Sequence, residues 1–186
     1  MPARLVALHV HSWHSLLEGV DSPRRLLEAA AQRGYLALAF TDTNNLYGLL
    51  AIHDLAWQYG VRPIFGACLR SLNPTRQRRA LSADQRKSAL RCTVLISEPI
   101  GYSNLCTILS RLHLYQAPLL DLLCEYSDGL QVLVDSPHWF EVLQPVFGER
   151  LWAELIRPGR SVKQERILLE AAAQRRIRVV ASWAVD

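Results

Sequence analysis

The chain has 186 residues, half of them apolar and a fifth charged, with a formal net charge of +4. That is the size and make-up of one compact domain with a real core, and it excludes an intrinsically disordered segment. No apolar run approaches the ~20 residues that span a bilayer, and the N-terminus lacks the charged, then apolar, then small pattern of a signal peptide, so a cytoplasmic protein with no membrane role is expected.

In chain order, Leu5 to His9 is the first of seven short runs with strand character. Ser22-Pro23 then supplies an N-cap and a proline at the first helical position, Leu26, Leu27, Ala30 and Ala31 form an apolar face at helical spacing, and Gly34 ends the helix. Leu36 to Thr41 reads as a strand, Leu49 to Tyr59 as a helix stopped by Gly60, and Pro63 to Cys68 and Cys92 to Ser97 as strands. A third helix is predicted from near Tyr102, strands at Leu130 to Val134 and Leu151 to Leu155, a last helix at Lys163 to Arg175, and a last strand at Arg178 to Ser182. Strands alternating with helices predict an α/β fold with a parallel sheet, and seven such units are enough to close it into a barrel. An open doubly wound sheet is the alternative, but it carries a glycine-rich loop after its first strand, where this chain has histidines. No composition break divides residues 1–186, and no apolar helix follows the last strand, so a single domain that continues into or packs against more protein is expected.

The first strand ends in Leu8-His9-Val10-His11-Ser12. Strand side chains alternate with period two, so the two imidazoles share one side of the backbone, where they suit a common metal ion. Glu18 follows and can add an oxygen ligand of the kind zinc or manganese accepts. In a β/α barrel the chemistry gathers at the strands' C-terminal ends, which here carry His9, His11, Asp42, Thr43, Cys68, Asp135, Ser136, Glu154, Ala184 and Asp186. A lone acid such as Glu154 in a buried strand needs a partner, and a structural ion pair is the plain reading. Cys68, Cys92, Cys106 and Cys124 form no C-x-x-C and read mostly as buried small apolar residues of a reducing compartment. Between Arg70 and Arg91 lie Arg76, Arg78, Arg79, Arg86 and Lys87, with Asp84 the one acid. Such a segment can attract phosphate, as in DNA, but a solvated loop is the plainer reading, because it has no aromatic residue to stack on bases.

The blocks LHVHSWHSLLEG, LALAFTDTNNLYG, VRPIFGACL, TVLISEPIGYSNLCTILSR, LWAELIRPGR and RVVASWAVD occur in the order found in the N-terminal PHP (polymerase and histidinol phosphatase) domain of bacterial DNA polymerase III alpha subunits, and resemble the error-prone paralogues at least as well. The resemblance implies a distorted (β/α)7 TIM-like barrel of PHP type, belonging to or derived from a larger polymerase subunit. Intact members resemble metallophosphoesterases whose side chains hold two or three divalent ions. Carried over by position, His9, His11 and Glu18 are retained. Thr43 stands in place of a histidine, Cys68 of a carboxylate, Arg91 of the histidine opening the fourth strand, and Ser136 of a cysteine or histidine. In the closing D-x-H, Ala184 replaces the acid and Asp186 the imidazole.

A guanidinium does not ligate a metal, and Ala184 removes a ligand outright. His9 and His11 with the weak substitutes Cys68 and Asp186 can hold a lone vestigial zinc or manganese ion, or none. Arg91 is expected to neutralise Glu18 or Asp186 in the metal's place. These residues predict a degenerate, non-catalytic structural or docking module of DNA replication or translesion synthesis, with the rest of a polymerase alpha subunit or a proofreading exonuclease as partner. The alternatives are a metal-dependent phosphoesterase or 3′ to 5′ exonuclease using His9, His11 and Glu18, and a DNA-binding module built on the basic segment.

Overall fold

The computed structural model describes residues 5–72, 91–157 and 161–183. Its strands are β1 (Val6–Val10), β2 (Ala37–Phe40), β3 (Arg62–Arg70), β4 (Arg91–Ile96), β5 (Leu130–Val134), β6 (Leu151–Ile156) and β7 (Arg178–Ser182). The helices are α1 (Pro23–Gln32), α2 (Leu49–Tyr59), α3 (Pro99–Tyr115), α4 (Leu119–Glu125), α5 (Phe140–Phe147) and α6 (Val162–Arg175). All seven predicted strands are present. The strands form one sheet in chain order, and its ends β1 and β7 lie side by side, giving a nearly closed barrel.

The expectation of an all-parallel sheet is corrected at one strand. β4 runs antiparallel to both neighbours, with Gly66 opposite Leu95 through Arg70 opposite Arg91, and Thr93 opposite Leu133. An antiparallel neighbour needs no crossover helix, and the stretch between these strands is basic with few large apolar residues. The reversal brings the first residue of β4, Arg91, to the end of the barrel where β1, β2 and β3 finish.

Local sequence explains the helices. Ser22 Oγ accepts from Arg25 N at 3.3 Å, Pro23 opens α1, and Leu26, Leu27 and Ala30 face the sheet. Ser161 and Gln164 form a reciprocal capping box on α6. α3 begins at Pro99, earlier than the predicted Tyr102, because the proline fits the first turn. Outside the barrel, Leu69, Val94, Val132 and Val134 pack against Leu105, Ile108 and Leu112 of α3.

Inside, each strand gives one residue to an apolar floor of Leu8, Ala39, Ile64, Leu95, Leu133, Trp152 and Val180. The β1–β2 register shifts between Ala7 and Val10, so β1 carries one extra residue there. Bulges re-aim side chains. This one lets His9 join Leu8 on the inner side while Ala7 and Val10 pack outward with the helices. No helix among the described residues is long and apolar enough to cross a membrane.

Candidate metal centre

Asp42, buried at the end of β2, organises the loop after β1. Its carboxylate accepts from Ser12 N at 2.7 Å, Ser12 Oγ at 2.8 Å and Ser15 Oγ at 2.7 Å. The loop then turns back so tightly at Gly19 that a Cβ there would lie 1.9 Å from the Ser12 carbonyl oxygen. This fold places Glu18 beside His11, and Ser15 Oγ accepts from Thr43 N at 3.0 Å.

His9 and His11 do converge. Their Nε2 atoms are 3.1 Å apart and both residues are 1% exposed. Cys68, fully buried on β3, completes a group whose ligand atoms all lie within 4.8 Å of one another. His9 Nδ1 faces Glu154 Oε1 at 2.9 Å, and an ionised carboxylate only accepts, so Nδ1 carries the proton and donates. Glu154 also accepts from Ser182 Oγ at 2.6 Å and from Thr93 Oγ1 at 3.4 Å. Its partner is therefore His9, the ion pair that a lone buried acid calls for.

Glu18 is engaged on its other side. It accepts from Thr43 Oγ1 at 2.6 Å and from Arg70, while His11 Nδ1 lies 3.4 Å away. The expectation that Arg91 neutralises Glu18 is thus corrected: Arg70 does so. Asn44, with a positive φ of 51°, holds Arg70 in position, its Oδ1 accepting from Arg70 N at 2.8 Å and its Nδ2 donating to Arg70 O at 3.0 Å. Arg91 instead hydrogen-bonds Cys68 and feels the charges of Asp135 and Glu154.

Each titration follows from this arrangement. Burial opposes charge on His9, but hydrogen bonds and charge from Cys68 and Glu154 outweigh it and push its pKa up to about 9. Burial likewise opposes the Cys68 thiolate, yet hydrogen bonds from His11 and His9 and the Arg91 charge bring it down to about 5. Against their own burial, Glu154 is held below the usual carboxylate range by His9, and Glu18 by Thr43 and Arg70. Near neutral pH the mouth therefore holds three matched pairs: Glu154 with protonated His9, Cys68 thiolate with Arg91, and Glu18 with Arg70. Cys68 departs from the apolar reading of the cysteines, as does Cys124, which is exposed.

The donor set suits one soft cation. Zinc takes nitrogen at ~2.0–2.1 Å and thiolate at ~2.3 Å, which places tetrahedral ligand atoms about 3.5 Å apart, near the 3.1 Å between the imidazoles and inside the 4.8 Å that bounds all three atoms. Glu154 on His9 Nδ1 is the outer carboxylate that orients a metal-binding imidazole. The described positions carried over from the family pattern give a cluster of several ions few donors. Thr43 and Ser136 offer hydroxyls, Arg91 a fixed charge, and Glu18 is committed to Arg70. The proposed ligand Asp186 and the basic residues Arg76, Arg78, Arg79, Arg86 and Lys87 lie outside the described residues. Sequence reasoning missed Arg70, Thr93 and Ser182. Period two was the available signal for Arg70, which stands two residues beyond Cys68 on the same strand.

The family model described as PHP domain matches residues 7–173. The chain belongs to the PHP domain family. It is 28% identical over 205 aligned positions to the DNA polymerase III subunit alpha of Vibrio cholerae, covering 96% of this chain and 17% of that protein. The same subunit of Treponema pallidum is 34% identical over 67% of this chain and 11% of its own length. An error-prone DNA polymerase of Mycobacterium bovis is 38% identical over 58% of this chain and 9% of its own length. The PHP chain thus spans less than a fifth of the length of each of these relatives. Among solved structures, a protein of Bifidobacterium adolescentis provisionally described as a metal-dependent phosphoesterase shares the fold, with a TM-score of 0.65, 15% identity, and coverage of 99% of this chain and 88% of that one. An amidohydrolase of Chromobacterium violaceum, solved with sulfate and no metal, gives 0.63 at 14% identity, covering 95% and 86%.

Proposed function

We propose that this PHP domain is a non-hydrolytic module, serving as a structural or docking element of a polymerase of the alpha-subunit type in DNA replication or translesion synthesis. One observation carries the reading: three anionic groups at the barrel mouth that would attract cations face the chain's own cations, Arg70 on Glu18, Arg91 on Cys68 and a protonated His9 on Glu154. A hydrolytic centre needs a polarised phosphoryl oxygen and an activated water, which multinuclear sites provide with two ions a few ångströms apart. Here two guanidinium groups and a proton hold the positive charge, and none of them activates water. The partners that follow are the remainder of a polymerase alpha subunit or a proofreading exonuclease.

A metal-dependent phosphoesterase or 3′ to 5′ exonuclease is the competing reading, favoured by the convergence of His9, His11 and Cys68. A bound cation would supply Lewis acidity at the mouth, and His9, His11 and Cys68 would hold it, with Glu154 orienting His9. Elemental analysis of protein purified without chelators, together with phosphate and nucleotide release assays in manganese and in zinc, separates the two. The proposed function expects at most one zinc or manganese ion per chain, and release no greater than from a His9→Ala/His11→Ala variant. Two or more ions per chain, with release abolished by that double substitution, overturns it.

A further inference from the structure

At the end of the lumen away from the histidines, the strands line a half-open cavity of about 350 Å3. Leu8, Leu95, Leu133 and Val180 form its wall, each an inward residue of a different strand. Its rim carries Trp152, Gln131 and Arg178. Trp152 Nε1 donates to Gln131 Oε1 at 2.8 Å, which turns the Gln131 NH2 group into the free donor of that amide. The Arg178 guanidinium lies over the Trp152 ring, 3.8 Å from its centre, and donates to the Glu149 carbonyl. None of the ion pairs among the described residues uses Arg178.

Small-molecule sites are concave and mostly apolar, ~300–1,000 Å3 in volume, with a few convergent polar groups. This cavity has that form, and its charge is complementary to an anion. Among the described lining residues one guanidinium without a carboxylate partner stands beside one amide donor, which matches a monoanion. The wall is aliphatic rather than a flat aromatic slot, which suits a hydrocarbon chain. We propose that the floor of the barrel binds a small free monocarboxylate with an aliphatic tail, the tail against Leu8, Leu95, Leu133 and Val180 and the carboxylate on Arg178 and Gln131. The site lies at the opposite end of the barrel from the metal centre and does not rest on the reading of that centre.

Calorimetric titration of the whole chain with octanoate, octan-1-ol and octylamine tests the proposal at constant tail length. Octanoate is expected to bind at least about tenfold more tightly than octan-1-ol, the increment of one charge-assisted hydrogen bond, and octylamine not measurably. From butyrate to octanoate, each added methylene is expected to tighten binding up to about fourfold. Arg178→Met keeps an apolar stem over Trp152 and should erase the octanoate advantage without changing octan-1-ol, and Val180→Phe should abolish both. Equal affinity for octanoate and octan-1-ol, binding of neither, or octanoate binding untouched by Val180→Phe overturns the proposal. Should Arg178→Met fail to fold, the head-group series on the unaltered chain still decides it.

Discussion

A zinc ion held by His9, His11 and Cys68 would compete with a proton for His9, and the size of that competition can be worked out. His9 Nε2 faces His11 Nε2 at 3.1 Å while its Nδ1 donates to Glu154, so the atom left for a metal is Nε2, which carries the second proton of the imidazolium. With the His9 pKa at about 9, removing that proton at pH 7 costs about 2.7 kcal/mol, a hundredfold in apparent affinity. Cys68 adds no such cost, because its pKa of about 5 leaves it a thiolate. Apparent zinc affinity should therefore rise about tenfold from pH 7 to 8 and level off through pH 9, with about one proton released per ion bound near pH 7. Competition against a chelator of known affinity across that range, with proton release followed in weak buffer, measures both quantities. A flat profile would mean that His9 is neutral in the folded protein. A slope of two would mean that Cys68 binds as a thiol and loses its proton too. Either result refutes the three-pair description of the mouth.

Glu154→Gln breaks the buried pair with His9 and should lower stability by about 3 kcal/mol in urea unfolding; a loss under about 1 kcal/mol would show that the pair contributes little. The raised pKa of His9 means that its charge stabilises the fold fully below about pH 6.5, with that contribution lost as pH rises through about 9. The stability difference between the native chain and His9→Gln should accordingly shrink from pH 6.5 to 9, and a constant difference would contradict it. Glu18 and Glu154 act in the opposite sense. Their pKa values are lowered, so their contribution is present above the ordinary carboxylate range and is lost as pH falls through the lowered values, and Glu18→Gln should flatten the acid limb of the stability profile. Gly19→Ala drives a Cβ into the Ser12 carbonyl and should cost about 2 kcal/mol or more while weakening zinc binding through His11; unchanged melting and zinc affinity would mean that the loop relaxes freely.

The elements were legible where local chemistry decides them. Gly34 and Gly60 stop α1 and α2 where the apolar spacing ends, both with positive φ, and β1 shows its inward pair in the H-x-H spacing. Strand direction was not legible, because alternation reports which side chains share a face and says nothing of which way the neighbour runs. α4 has only seven residues, and Pro145 inside α5 breaks the pattern that would have announced it. The ion pairs were hidden for a different reason. His9 and Glu154 are 145 residues apart and Glu18 and Arg70 are 52 apart, so no window of sequence contains either pair, and Arg70 looked like the first residue of a basic segment.

The reversed strand ties fold to charge. Read down the lumen from the mouth, β4 presents Arg91, Thr93 and Leu95: a cation beside Cys68, a hydroxyl beside His9 and Glu154, and an apolar floor residue. β3 runs through the same gradient in the other direction, Ile64 at the floor, then Cys68, then Arg70 at the rim. Both arginines thus enter the mouth from adjacent strands, held opposite one another by register, and each neutralises an anion from elsewhere. Arg91→His would take away one of the two charges that face the Cys68 thiolate and leave it to the protonated His9. The weaker compensation of a buried charge then opposes any gain from coordination. The guanidiniums, Glu18, Cys68 and the His9–Glu154 pair share one charge balance, so a single substitution at the mouth is felt by more than one of its groups.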